Sequence, residues 1–145
     1  MRILAALALT STLLLGAAPA GAGETGSELT LKLTGLKSPA GQIVVALFDS
    51  EAAFRSKSAP VRTATAPARA DAVEIAWRDL PPGRYAAVAY HDRNADGRLN
   101  VLPIGLPVEP YAISNDAPAR FGPPAWRSAA FEIHAGTNRQ SAALR

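Results

Sequence analysis

Leu29, Leu31 and Leu33 alternate with Thr30, Lys32 and Thr34, the period-two pattern of a strand with one dry face and one wet face. Gly35 and the run Ser38-Pro39-Ala40-Gly41 then turn the chain, so a hairpin is expected. From Gln42 to Asp49 the residues Ile43 to Phe48 are apolar without interruption, which predicts a central strand covered on both faces. Ser50 ahead of Glu51-Ala52-Ala53-Phe54 predicts one helical turn capped by the serine hydroxyl. The segment from Ser56 to Asp71, rich in Ser, Pro, Ala and Arg, reads as loop with a weak edge strand around Val61 to Thr65. Alternation returns with Val73, Ile75 and Trp77, and again after the turn Pro81-Pro82-Gly83, where Tyr85, Ala87 and Ala89 alternate with Ala86, Val88 and Tyr90 up to His91.

Asp92 to Arg127 is punctuated by Gly97, Pro103, Gly105, Pro107, Pro110, Pro118, Gly122, Pro123 and Pro124, which predicts one long ordered loop region with little regular structure. Ala129 to Ile133 and Arg139 to Leu144 read as two closing strands around the turn from His134 to Asn138. Short strands, polar turns and almost no helical periodicity predict an all-β fold: an antiparallel immunoglobulin- or prealbumin-like β-sandwich of about seven strands, with a small β-barrel as the alternative. Leu31, Val45, Leu47, Ile75, Trp77, Tyr85, Val88, Phe131 and Ile133 are its expected core.

The first residues change the picture of the composition. Of 145 residues 48% are hydrophobic, but a dense apolar block lies at the start, where Arg2, the stretch Ile3 to Gly16 and the small residues Ala18-Pro19-Ala20-Gly21-Ala22 follow the order of a secretory signal peptide. Residues 1–22 are therefore expected to be a removable leader and 23–145 a single β-sandwich domain, periplasmic or secreted, with no transmembrane segment after signal removal. The chain has no Cys, which excludes disulfide frameworks, thiolate metal sites and cysteine nucleophiles. Its net charge of +3 comes from scattered Lys and Arg, with no basic stripe for nucleic acid.

The chemistry concentrates in the long loop. Asp92-Arg93-Asn94-Ala95-Asp96-Gly97 sets oxygen side chains at alternate positions before a Gly, the first half of a calcium-binding loop. Asp92, Asn94 and Asp96 would be the side-chain ligands and Arg98 would offer its carbonyl. Position twelve is Pro103 rather than the usual Glu, so Glu109 is the candidate to complete the shell. The same residue types also build metal-free Asx turns, and both readings stand at this level. His91 and His134 are the only histidines; a zinc centre needs more ligands than they supply, and His91 is expected to make a structural hydrogen bond. Tyr111, Ser114 and Asn115 add hydroxyl and amide groups. Ser114 lacks the G-x-S-x-G elbow of a hydrolase nucleophile and is expected to cap a turn.

L-P-P-G-x-Y at Leu80 to Tyr85, H-D-x-N-x-D-G-x-L at His91 to Leu99, G-x-P-x-E-x-Y-x-x-S-N at Gly105 to Asn115, G-P-P at Gly122 to Pro124 and A-x-F at Ala129 to Phe131 together resemble the domain of unknown function 2141 family of exported bacterial proteins. That resemblance implies a small secreted β domain without an established activity. The expected function is a non-enzymatic protein of the cell envelope, whose loop region, ordered by calcium, presents a binding surface to a glycan, peptide or envelope protein. The alternative is a small hydrolase using His91, Asp92 and Glu109 as acid and base in a loop pocket. Intact-mass measurement on protein recovered from its native envelope is expected to show loss of about the first twenty residues; a mature mass that retains Met1 to Gly16 overturns the leader assignment.

Overall fold

Residues 26–119 and 122–145 are described by the computed structural model; the leader expected over residues 1–22 lies outside them. Two sheets face each other. The first is three-stranded, in the order β4 (Asp71–Leu80), β1 (Ser27–Leu36), β8 (Thr137–Ala143). The second follows the path β3 (Arg62–Pro67), β2 (Gln42–Phe48), β5 (Gly83–Asp92), β6 (Tyr111–Ile113), with β7 (Phe131–Ile133) also on β5. The all-β sandwich expected from alternation is what the chain forms. One pairing departs from the antiparallel rule: β8 runs parallel to β1, with Leu29 opposite Asn138 and Leu33 opposite Ala142. Among the described residues no helix is long and apolar enough to cross a membrane.

The alternating positions of the sequence close the space between the sheets. Leu29, Leu31 and Leu33 of β1, Val73, Ile75 and Trp77 of β4, and Ile43, Val45 and Leu47 of β2 meet Tyr85, Ala87 and Ala89 of β5 and Phe131 and Ile133 of β7 in one continuous core. Val88 departs from the expected core list. It lies one residue out of phase with Tyr85, Ala87 and Ala89, so the pleat turns it to the outer face of the five-stranded sheet.

That outer face is covered too, which accounts for the unbroken apolar run of β2. Phe48, Phe54, Ala86, Ile113, Ala117 and Ala129 form a second core, with Val88, Tyr111 and Trp126 packed against it. Helix α1 (Glu51–Ser56) supplies Phe54, and the Ser50 side chain caps it by accepting from the Ala53 N–H, as the sequence predicts. Phe54 stands edge-on to Phe48 and to Trp126, with ring centroids 5.9 and 5.7 Å apart. Trp126 opens the single-turn helix α2 (Trp126–Ala129).

The segment from Asp92 to Arg127 holds more regular structure than its Pro and Gly content suggests. It contains β6, a 3₁₀ turn at Ser114–Asp116 and the start of α2. β6 and β7 share one edge of β5: β7 pairs Gly83 to Tyr85 and β6 pairs Val88 to Tyr90. In the gap between them the Ser114 hydroxyl accepts from the Ala87 N–H at 2.9 Å and donates to the Ala129 carbonyl at 2.6 Å. The Asn115 amide adds bonds to the carbonyls of Ala129 and Ala130.

Ile75, buried against Leu31 of its partner strand, is expected to cost about 2–5 kcal/mol when replaced by alanine. Ser114→Ala leaves the buried Ala87 N–H without its partner and takes one of two donors from the Ala129 carbonyl, and it is expected to lower stability by about 1–3 kcal/mol. Chemical denaturation of each variant reads both values; a change under about 0.5 kcal/mol for Ser114→Ala, the scale of an ordinary surface substitution, refutes its role as the filler of the sheet edge.

Candidate functional site

β5 ends in two consecutive polar residues, and the pleat separates them. His91 continues the face of Tyr85, Ala87 and Ala89 and sits opposite Ile43 in the ladder; Asp92 continues the opposite face and sits opposite Gln42. Both are buried. His91 Nε2 is 2.7 Å from the Ala40 carbonyl oxygen; a carbonyl only accepts, so Nε2 donates. Nδ1 has no partner among the described residues. The expected structural hydrogen bond of His91 is thus observed, while His134 lies exposed in the β7–β8 turn, its backbone held by Asn138.

Asp92 is wholly buried and holds three donors. Its Oδ2 accepts from Gln42 Nε2 and from the Gly97 N–H, each at 2.8 Å, and its Oδ1 accepts from the Asp96 N–H at 3.1 Å. Burial pushes the Asp92 carboxyl up, but these three donors outweigh it and its pKa is lowered. Asp96 repeats the arrangement in the open. It accepts from the Arg98 N–H at 2.9 Å, from Asn100 Nδ2 at 2.9 Å and from Asn94 Nδ2 at 3.1 Å. The Asn100 donor contributes most to the lowered pKa of Asp96, followed by the Arg98 N–H. Glu109, also buried, spans the base of the loop: Oε1 accepts from the Arg93 N–H at 3.0 Å and Oε2 from the Asn100 N–H at 3.2 Å. Tyr90 donates to the Gly97 carbonyl at 2.9 Å.

The candidate ligands Asp92, Asn94, Asp96, Arg98 and Glu109 therefore do gather in one loop, where the carboxylates hold backbone N–H groups and the side-chain amides of Gln42, Asn94 and Asn100. Among the described residues no group of three or more His, Asp or Glu side chains is placed to hold a metal ion. Two partners escaped the sequence reading. Gln42 reaches Asp92 only through the β2–β5 register, and Gly41 lies so close to β5 that a Cβ would collide with the Asp92 carbonyl oxygen and come within 2.7 Å of the Arg93 Cα. Gly41 also takes a φ of +76°, so both space and backbone require glycine there.

Of the residues proposed for acid–base work, Asp92 and Glu109 both brace the loop, and His91 turns to the other face of β5. His91 faces the core between the sheets, and Glu109 lines a shallow open depression with Arg93, Asn94 and Asn100. Tyr111 lines a different hollow, an apolar groove of about 470 Å³ on the outer face of the five-stranded sheet. Phe54, Val88 and Ile113 form its floor side, and Leu99, Ile104, Leu106 and Pro107 wall it from the loop. Ser114, expected to cap a turn, fills the edge of β5 as described above, and the Asn115 amide holds the carbonyls of Ala129 and Ala130.

The wall of that groove is a small hairpin, Asn100 to Val108. Its bonds run from the Leu102 N–H to the Leu106 carbonyl, from the Val108 N–H to the Asn100 carbonyl and, across the turn, from the Gly105 N–H to the Leu102 carbonyl, at 2.8, 2.9 and 2.8 Å. Val101, Leu102, Ile104, Leu106 and Val108 on it are between 46% and 77% exposed, and they are the exposed large hydrophobic residues among the described residues. Exposed aliphatic clusters are among the surfaces through which proteins meet partners, ligands or membranes.

Residues 31–141 match the model of DUF2141, described as an uncharacterized protein conserved in bacteria. The chain belongs to the DUF2141 family. No curated protein and no solved structure matches it. In this DUF2141 chain the H-D-x-N-x-D-G stretch forms the carboxylate-braced loop, and the S-N pair fills the gap on β5.

Because the folded Asp92 and Asp96 carboxyls titrate below the ordinary value of 3.8, they contribute stability that is complete above that value and lost as pH falls through it toward the lowered folded value. Melting temperature is expected to drop as pH falls below about 4, and more shallowly in Asp92→Asn/Asp96→Asn. Equal slopes in the two proteins over that window would refute the assignment.

Proposed function

We propose that this DUF2141 chain is an exported, non-enzymatic β-sandwich of the bacterial cell envelope that binds a ligand in the groove beneath the 100–108 hairpin. The observation that carries the reading is the hairpin itself: five exposed aliphatic side chains on a loop fastened at its base by Glu109, beside an apolar groove. Sites for small ligands are mostly apolar hollows of about 300–1,000 Å³, and the groove falls in that range. The leader-like pattern of residues 1–22 supports export. The hydrolase alternative finds no support in the arrangement of His91, Asp92 and Glu109, whose polar atoms serve the loop and the strand end.

Calcium is a second reading, favoured by the wrap of the loop, where Ala95 and Gly97 take positive φ between oxygen side chains at alternate positions. In that reading Asp92, Asn94, Asp96, the Arg98 carbonyl and Glu109 exchange some of their N–H donors for the ion. Thermal unfolding with millimolar calcium separates the readings: a rise in melting temperature lost in Asp96→Asn assigns an ion, and an unchanged melt leaves the hydrogen-bonded brace.

The groove is tested with N-phenyl-1-naphthylamine, a neutral apolar fluorophore. Saturable enhancement of its emission is expected with the purified protein, and Ile104→Ser/Leu106→Ser is expected to weaken it by about tenfold or more. Absence of saturable binding to the wild-type protein overturns the proposed function.

A further inference from the structure

Lys57 is the charged side chain on the groove lining among the described residues, and it makes no ion pair there. It caps the C-terminal end of α1 in a left-handed conformation, φ 52°, and is exposed to solvent. Most of the other lining residues are apolar, with Val88 and Ile113 from the sheet and Ile104 and Leu106 from the hairpin, and Tyr111 adds a hydroxyl. A flexible hydrocarbon is held by apolar surface of this kind.

We propose, on the premise that the groove binds a ligand at all, that its occupant is a single-chain amphiphile with an anionic head, such as a long-chain carboxylate. The hydrocarbon lies between the hairpin and the outer face of β5 and β6, covering Ile104 and Leu106. The carboxylate pairs with the Lys57 ammonium, an opposite charge at the rim of a low-dielectric hollow, where such a contact is worth more than in open water. Insertion of the hairpin into a bilayer would employ its outward aliphatic side chains but leave the groove and Lys57 without a role, so the bound amphiphile is the reading the lining favours.

Displacement of bound N-phenyl-1-naphthylamine by dodecanoate and by dodecan-1-ol, each below its aggregation concentration, tests the inference. Dodecanoate is expected to displace the fluorophore at a concentration at least about fivefold lower than the alcohol. Lys57→Gln is expected to abolish that preference while fluorophore binding persists, and Lys57→Arg to retain it. Equal displacement by acid and alcohol in the wild-type protein, or a preference that survives Lys57→Gln, overturns the anionic head and leaves the groove reading intact. Failure of the fluorophore to bind removes both. Flotation with anionic phospholipid vesicles is the last arm: co-flotation that is lost in Ile104→Ser/Leu106→Ser, with no displacement by dodecanoate, assigns the hairpin to a membrane surface and overturns the amphiphile site.

Discussion

A carboxylate withdrawn from water must be surrounded by donors, and the burial of Asp92 at the end of β5 imposes that requirement on everything around it. One donor comes from Gln42 on the neighbouring strand, so the β2–β5 register is fixed at its end; two come from the Asp96 and Gly97 amides, so the chain must double back at once. Glu109 then repeats the device from the far side, taking the Arg93 and Asn100 amides. The loop between is thereby closed into a rigid base from which the 100–108 hairpin rises. Without the first carboxylate the hairpin would have no fixed height above the sheet, and the groove beneath it no fixed width.

The opposite edge of β5 poses a related problem of unmade bonds. Two short strands, β6 and β7, cannot cover ten residues of edge, and the amide of Ala87 falls between them. A side-chain hydroxyl takes the place of the missing ladder acceptor, and because the same hydroxyl donates to Ala129, the two strands are set relative to each other as well as to β5. The seam is tied to the other sheet nearby: Tyr111 and Arg145 exchange both backbone bonds, and Asp116 accepts from the Ala143 N–H. The surface that carries the groove is thus continuous with the hydrogen-bond network of the sandwich.

How much of this was legible in the sequence follows from the reach of each interaction. Strands β1 and β4 could be read from alternation because one face of each is dry and the other wet, and the α1 cap from Ser50 because its partner is three residues away. β6 escaped, being three residues long between prolines and a 3₁₀ turn, and Val88 was misplaced because an all-apolar strand conceals which phase faces the core. The spacing of Asp92, Asn94 and Asp96 revealed a loop organised by oxygen atoms. It could not reveal what those atoms hold, since a cation and a set of N–H groups present the same positive face to a carboxylate. Gln42 and Ala40, the partners of Asp92 and His91, lie 50 and 51 residues distant in the chain and became visible only with the register. The groove was hidden for a different reason: Pro- and Gly-rich aliphatic stretches read as loop, and only the folded chain shows that the loop is a wall.

The parallel pairing of β1 with β8 joins residues about as far apart as the described chain allows, Glu28 with Thr137. Loop-closure entropy makes such contacts late ones. Until β8 arrives, Leu31 and Leu33 have a neighbour on one side only and the three-stranded sheet lacks an edge. The order of events in folding is therefore weighted toward completion, with the leading strand waiting on nearly the whole polypeptide. Residues near one end of the described chain thus complete the layer that Leu31 and Leu33 begin near the other.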